Sequence, residues 1–298
     1  MDLASLGRLL LLAAIWGGSF LCMRIAAPVL GPIATAFGRV LLGSCGLTVL
    51  VGLQRVAPAF HGKFRTALGL GVINCALPFL MFTLAATVLP SGYSAIINAT
   101  SPLMAVLIGG LVFRERISGL KAIGVLLGLA GVIVLTRSGT VPPSRAVLLG
   151  VAACLVAAAC YGFGGFLTRR WISERGGMDS RLLSLGSQIG AVLALAPLMA
   201  WRVFARPLAL GNVGAGPWLA MLALGLLCTS LAYVLYFRLI ADIGPIRALT
   251  VTFLVPLFAL FWGWLILHER ASWAHLLGGT LIALALWMVL RPAPVQAG

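Results

Sequence analysis

Long apolar runs separated by short polar or charged breaks make up almost the whole chain. A helix needs about 20 apolar residues to cross a bilayer, and ten runs reach or approach that length. The predicted spans are residues 6–26, 33–53, 65–86, 91–112, 120–136, 146–167, 182–201, 216–238, 245–267 and 274–290. The pattern therefore predicts an all-α polytopic membrane protein with ten transmembrane helices.

The pattern of the fourth and fifth runs returns in the ninth and tenth, 154 residues later. The corresponding pairs are Pro102 and Pro256, Glu115 and Glu269, Arg116 and Arg270, and Gly124 and Gly278. Acidic residues are scarce here, so four matches at one offset indicate a duplication. We predict a first five-helix repeat at residues 1–138 and a second at 145–298, joined at about 137–145, where turn-forming residues cluster. Because five is odd, the second repeat enters the membrane from the opposite side, and the repeats are inverted.

Composition excludes a soluble globule. The chain is 61% hydrophobic and 9% charged, with a mean hydropathy of +1.11, whereas soluble proteins carry about 25% charged residues. The net charge of +15 does not indicate nucleic-acid binding, because the basic residues lie between apolar runs, as in cytoplasmic loops. With both termini cytoplasmic, 14 of the 21 Lys and Arg residues lie inside: Arg8, Arg55, Lys63, Arg65, Arg114, Arg116, Lys121, Arg169, Arg170, Arg175, Arg181, Arg238, Arg247 and Arg291.

Several features together resemble a known family. They are the five-plus-five duplication, a proline in the fourth and ninth spans, Glu115 and Glu269 opening the fifth and tenth, the run Trp16-Gly-Gly-Ser-Phe20, and Arg39 early in span two. The chain resembles the EamA-type carriers of the drug/metabolite transporter superfamily, and among them most the bacterial amino-acid exporters of the YddG type. The resemblance implies a carrier whose central cavity opens alternately to each side. The second half departs from it with Gln188 roughly where Arg39 lies in the first, so the two halves do not offer equivalent charges.

The acidic residues constrain the substrate. All six lie at span ends or in loops: Asp2, Glu115, Glu174, Asp179, Asp242 and Glu269. An exchanger that couples a cationic drug to protons needs an acid inside the membrane as counter-charge and proton acceptor. We therefore expect a neutral or zwitterionic substrate that moves down its own gradient.

Polar and aromatic residues within the spans are the candidate substrate site. The polar candidates are Ser19, Asn74, Ser94, Asn98, Ser101, Thr229, Tyr233, Tyr236 and Thr252, and the aromatic ones are Trp16, Phe79, Phe82 and Tyr161. Polar groups in lipid must meet other helices or water, so they either bond between helices or line a site at the midplane. The aromatic residues either line an apolar pocket or pack within the bundle and the interfacial belt.

Charged residues and prolines supply the remaining candidates. Arg39 either snorkels to the interface or faces the cavity and attracts a carboxylate. Glu115 and Glu269 stand near helix starts beside arginines, where they either cap and pair at a gate or contact substrate. The prolines Pro78, Pro102 and Pro256 are the predicted hinges or gates.

The sequence lacks the motifs of nucleotide-binding proteins, metalloproteases and serine hydrolases. The chain has no phosphate-binding GxxxxGK[ST] loop, no HExxH pair and no nucleophile elbow, so we expect no enzyme, no cofactor and no metal. We predict a secondary transporter of the bacterial inner (plasma) membrane that exports small metabolites, above all amino acids. Hydrophobic drugs or other organic metabolites are the alternative cargo, and a membrane-embedded enzyme or sensor is the remote alternative. The expected partners are a small-molecule substrate and the lipid bilayer, without nucleic acid, around a monomer.

Overall fold

A computed structural model describes residues 2–115, 117–205, 213–248 and 250–290. Arg116 of the predicted repeat and Arg291 of the predicted inner loops lie outside these ranges. The α-helices of the described chain are α1 (Leu3–Leu30), α2 (Pro32–Leu53), α3 (Phe64–Gly71), α4 (Leu77–Ala86), α5 (Ser91–Asn98), α6 (Ser101–Leu111), α7 (Gly119–Ser138), α8 (Arg145–Trp171), α9 (Ser180–Ala205), α10 (Ala215–Leu222), α11 (Ala232–Ile243), α12 (Pro245–Ala248), α13 (Val251–Leu267) and α14 (Trp273–Leu290).

These helices form ten membrane crossings. Nine helical stretches of the described chain are long and apolar enough to cross a membrane, and α13, with 17 residues, provides the remaining crossing. The third crossing joins α3 to α4, the fourth joins α5 to α6, and the eighth joins α10 to α11. The predicted all-α architecture of ten spans is confirmed.

Successive crossings alternate in direction and so define two faces. The described residues of the turns at 54–63, 112–115 with 117–118, and 172–179 lie at one face, which we call the Glu115 face. The turns at residues 87–90, 139–144 and 268–272 lie at the other, the Glu269 face. The fourth crossing therefore runs from the Glu269 face to the Glu115 face, and the ninth runs in the reverse direction.

Four predicted spans are not the continuous α-helices that the sequence indicated. The ninth, predicted over 245–267, is divided into α12 and α13. The fourth breaks at Ala99 and Thr100, after which α6 begins with Pro102 near its first position. Proline lacks an N–H and clashes with the preceding turn, so the helix restarts there. The third and eighth contain π-helical stretches at Val72–Ala76 and Ala223–Leu231. By contrast, Pro256 lies inside an unbroken α13.

The two repeats share local backbone geometry. Arg114 and His268, 154 residues apart, both adopt left-handed backbone conformations with φ values of 55° and 54°. The residue after each turns back on its own helix: the Glu115 N–H donates to the Gly109 carbonyl at 2.9 Å, and the Glu269 N–H donates to the Gly263 carbonyl at 3.0 Å. The duplication read from the sequence therefore extends to the turns that carry both glutamates.

Small residues bring helices of the two repeats into backbone contact. A Cβ on Gly131 of α7 would lie 2.8 Å from the Gly278 carbonyl oxygen of α14, and a Cβ on Gly278 would lie 2.7 Å from the Gly131 oxygen. In the same way, Gly17 brings α1 against the backbone of α13 at Ala259. Lipid gives helices no hydrophobic reason to associate, so this close packing holds the bundle together.

Adjacent glycines on α14 test this packing. A Cβ at Gly278 meets backbone, whereas a Cβ at Gly279 meets nothing within 4 Å. We expect Gly278→Ala to lower the free energy of unfolding by about 1–3 kcal/mol, the usual cost of overpacking a close contact. Gly279→Ala, which makes the same change in helix propensity, is the control. Thermal unfolding of both variants in detergent measures the difference, and equal midpoints would contradict the packing argument.

Candidate functional site

A cavity of about 670 Å³ lies between the two repeats. Its wall combines residues of the first repeat, on α1, α2, α4 and α6, with residues of the second, on α8, α13 and the eighth crossing. A volume of this size is typical of small-molecule sites. The cavity between the repeats is therefore the candidate substrate site.

Most of the predicted substrate residues lie on the cavity wall. They are Trp16, Ser19, Arg39, Asn74, Phe79, Phe82, Asn98, Ser101, Tyr161, Thr229, Tyr233 and Thr252. Two predicted residues do not line it. Ser94 is buried away from the cavity, with 3% of its surface exposed. Tyr236 packs behind the wall, its ring centroid 5.3 Å from that of Trp16.

Arg39 is the buried charge of the cavity. Its side chain lies in the bundle interior with 6% of the residue exposed, so it does not snorkel to the interface. The guanidinium carbon lies 3.8 Å from the Phe79 ring centroid, and Nε donates to the Thr229 hydroxyl at 3.4 Å. No carboxylate of the described chain forms an ion pair with Arg39. The guanidinium is therefore buried without a counter-charge.

Acidic residues are absent from the described part of the cavity wall. Glu115 and Glu269 lie instead at the two faces, each beside an arginine: Glu115 Oε1 is 3.6 Å from Arg169, and Glu269 Oε1 is 3.6 Å from Arg24. Gln188, predicted near the position equivalent to Arg39, is fully buried behind the wall and donates to the Cys75 sulfur at 3.6 Å. The cavity therefore carries positive charge without a compensating acid.

Amide and hydroxyl groups form a second polar region. The Ser101 hydroxyl donates to the Asn98 backbone carbonyl at 2.6 Å across the break between α5 and α6, and the Asn74 amide donates to Thr168 at 3.4 Å. The Asn98 side-chain oxygen is buried and accepts no hydrogen bond from the described residues. Because Asn98 lines the cavity, this oxygen is a buried acceptor without a described partner at the cavity wall.

Aromatic rings form the apolar part of the wall. Phe20 and Phe82 meet edge to face with centroids 5.4 Å apart, and Phe82 lies 6.2 Å from Tyr161. Edge-to-face and offset pairs of this kind are the preferred arrangements of aromatic rings. This surface suits an apolar or aromatic group of a ligand.

Sequence reasoning missed part of the wall. The missed residues include Phe20, Met23, Phe166, Arg169, Phe253 and Leu290. Phe20 and Met23 follow Trp16 at spacings of four and seven, so extending that helical face along α1 would have found them. Arg169 was counted as an inner-loop charge, although its repeat relation to Arg24 was visible.

The cavity reaches solvent at the Glu115 face. Arg169, Leu290 and Thr252 line it, at the ends of α8 and α14 and the start of α13, all near that face. Arg169 has 62% of its side chain exposed. The described turns of neither face line the cavity, and the described helix ends at the Glu269 face do not line it either.

These features define a polytopic membrane carrier, and comparison with known proteins identifies its family. The profile of the EamA-like transporter family matches residues 6–137 and again residues 148–291. The chain therefore belongs to the EamA-like transporter family and is a multi-pass membrane transporter, not an enzyme. The recognised resemblance to EamA carriers is confirmed at this level.

Relatives along the full length support this assignment. The chain is 24% identical over 275 residues to the uncharacterized transporter YoaV of Bacillus subtilis, with 92% of each chain covered. It is 26% identical to protein PecM of Dickeya dadantii, covering 92% of this chain and 88% of PecM. It is 27% identical to the uncharacterized inner membrane transporter YedA of Escherichia coli K12, covering 86% and 81%. A solved crystal structure shares the fold, with a TM-score of 0.62, 18% identity and 97% of both chains covered.

The unpaired charge at Arg39 predicts an unusual stability effect. Burying a guanidinium without a counter-charge is costly, so Arg39→Met should raise the free energy of unfolding by about 1 kcal/mol or more despite the lost Phe79 contact. The control is Arg8→Met at the ion pair with Asp242 near the membrane surface, which should lower it by about 0–1 kcal/mol. Thermal unfolding in detergent measures both. A marked decrease in the free energy of unfolding of Arg39→Met would contradict this prediction and would mean that Arg39 stabilises the fold.

Proposed function

We propose that this transporter exports zwitterionic amino acids from the bacterial cytoplasm across the inner membrane by alternating access. The observation that carries the proposal is Arg39, a buried guanidinium on the cavity wall without a paired carboxylate in the described chain. A guanidinium binds a carboxylate through two parallel charge-assisted hydrogen bonds. A substrate carboxylate would therefore supply the missing counter-charge, with the Thr229 hydroxyl beside it.

The ammonium group of an amino acid would donate a hydrogen bond to Asn98. An ammonium group only donates hydrogen bonds, and the Asn98 side-chain oxygen is a buried acceptor without a partner among the described residues. The acid-free wall argues against a cation as cargo, because a cation would meet Arg39 with no compensating charge. A zwitterion with an apolar side chain matches the guanidinium, the amide and the aromatic surface together.

The distribution of basic residues supports the orientation of the proposed export. Both termini are assigned to the cytoplasm by the positive-inside rule, which makes the Glu115 face cytoplasmic. In this arrangement the cavity is open to the cytoplasm, where an exporter loads its substrate.

Hydrophobic drugs or other organic metabolites are the second candidate cargo. The aromatic surface formed by Phe20, Phe82 and Tyr161 favours it. Arg39 argues against it, because an uncharged drug would leave the guanidinium without a partner.

Flux into proteoliposomes tests the proposal. Purified protein should move at least one radiolabelled amino acid with saturable kinetics, and Arg39→Gln should lower kcat/KM about 10–100-fold, the loss that one charged hydrogen-bonding group gives. Arg65→Gln, at an exposed arginine of α3, should leave flux unchanged. Parallel assays with and without a pH gradient test coupling. Robust drug flux without flux of any amino acid would overturn the proposal in favour of the second candidate.

The ammonium position has its own test on α5. Asn98→Ala should raise KM for the transported amino acid about tenfold, as expected for one lost hydrogen bond to a charged group. Ser94→Ala, one turn earlier on the same helix and away from the cavity, is the matched control. An equal effect of the two substitutions would remove Asn98 from the substrate site.

A further inference from the structure

The Glu269 carboxylate holds the start of another membrane span. Both of its oxygens accept from the Ser91 backbone N–H, at 3.0 and 3.2 Å, and Oε2 also accepts from the Ser91 hydroxyl at 2.6 Å. Ser91 is the first residue of α5, where the free N–H groups and the dipole of a helix favour a negative charge. Glu269, which follows the ninth crossing by two residues, therefore caps the start of the fourth crossing.

Three further contacts extend this connection. Arg24 of α1 pairs with Glu269 at 3.6 Å while donating to the carbonyl of Ala86, the last residue of α4, at 2.8 Å. The Ala259 carbonyl oxygen of α13 lies 3.2 Å from the Ser91 hydroxyl oxygen and is a second acceptor for the same proton. Gly263 leaves room for the carboxylate, because a Cβ there would collide with Glu269 Oε2 and the Ser91 hydroxyl. We call Glu269, Ser91 and Arg24 the latch, which joins spans one, three, four and nine.

The duplication supplies a counterpart of the latch that is not engaged. Glu115 has the same backbone turn as Glu269, and Arg169 is the repeat equivalent of Arg24 at the offset of 145 residues. The Glu115 side chain nevertheless remains 49% exposed, against 17% for Glu269. It pairs with Arg169 at 3.6 Å, but no backbone N–H of a described helix start donates to it. The turns are alike, but the helix starts differ: at the offset of 154 residues Ser91 corresponds to Pro245, which has neither an N–H nor a hydroxyl to donate.

The cavity opens at the Glu115 face, where the counterpart of the latch is not formed. Arg169 lines the cavity, whereas Arg24 and Glu269 line a separate depression at the opposite face. The described residues contain none that lines both. The latch therefore lies between the cavity and the solvent of the Glu269 face.

We propose that the latch is the gate that keeps the cavity closed at the Glu269 face, and that Glu115 with Arg169 forms the equivalent gate when the cavity opens there. Transport then exchanges the latch at the Glu269 face for closure by Glu115 and Arg169 at the Glu115 face. The inference goes beyond the proposed substrate and does not depend on its identity.

Hydrogen–deuterium exchange of the full chain in lipid nanodiscs tests the gate without any substrate. Glu269→Ala should speed exchange of the amides at 91–94, the first turn of α5, at least about tenfold, since charge-assisted hydrogen bonds are lost. It should also slow exchange at 166–171, at the end of α8, as the Glu115 face closes. Glu115→Ala should leave the first turn of α5 at the wild-type rate or slower, because it disfavours the opposite state.

Two glycine variants make the same test without removing a carboxylate. Gly263→Ala should loosen the latch and speed exchange at 91–94. Gly109→Ala, its repeat equivalent, would place a Cβ 3.0 Å from Glu115 Oε2 and from Phe166, and should not change that exchange. Glu269→Gln, which keeps shape and loses charge, should give an intermediate effect. The proposal is overturned if the Glu269 and Glu115 variants change the first turn of α5 alike, or if neither Glu269→Ala nor Gly263→Ala affects it.

Discussion

The guanidinium of Arg39 is buried, with 6% of the residue exposed, and the described protein around it offers a hydroxyl, a thioether and an aromatic face but no paired carboxylate. Burial of a charge without a paired carboxylate is costly. The structure around the cavity reflects this buried charge. The cavity wall next to Arg39 is free of described acidic residues, and the π-helical and broken stretches of spans three, four and eight contribute to that wall. Irregular backbone at membrane depth is tolerated where it lines a cavity.

The duplication separates the proposed recognition site from the proposed gates. Acidic residues that would neutralise Arg39 are kept at the two faces, where Glu115 and Glu269 repeat the same turn on opposite sides of the membrane. Close glycine contacts such as Gly131 with Gly278 hold the halves together through backbone rather than large side chains. A carrier built this way can rearrange at its faces while the packing of spans five and ten stays unchanged.

The sequence predicted the ten spans, the duplication and most of the cavity wall, because apolar length and a repeated Pro…Glu pattern survive in a single chain. It did not predict the break at Ala99 and Thr100, since Pro102 and Pro256 look alike in sequence but only the first repeat interrupts its helix beside the proline. Ser94 does not line the cavity. The unequal partners of Glu115 and Glu269 could have been read in part, because Ser91, which holds Glu269, corresponds to Pro245 at the offset of 154 residues, and proline has no N–H to donate.

The central claim, that a lone guanidinium awaits a substrate carboxylate, is tested most directly by equilibrium binding to the purified protein in nanodiscs. Three ligands with one side chain suffice: a transported aromatic amino acid, the same compound without its amino group, and the same compound without its carboxylate. The account predicts that the amino acid and the compound without its amino group both bind. The compound without its carboxylate should bind at least about tenfold more weakly. An amine that binds as tightly as the amino acid would contradict it.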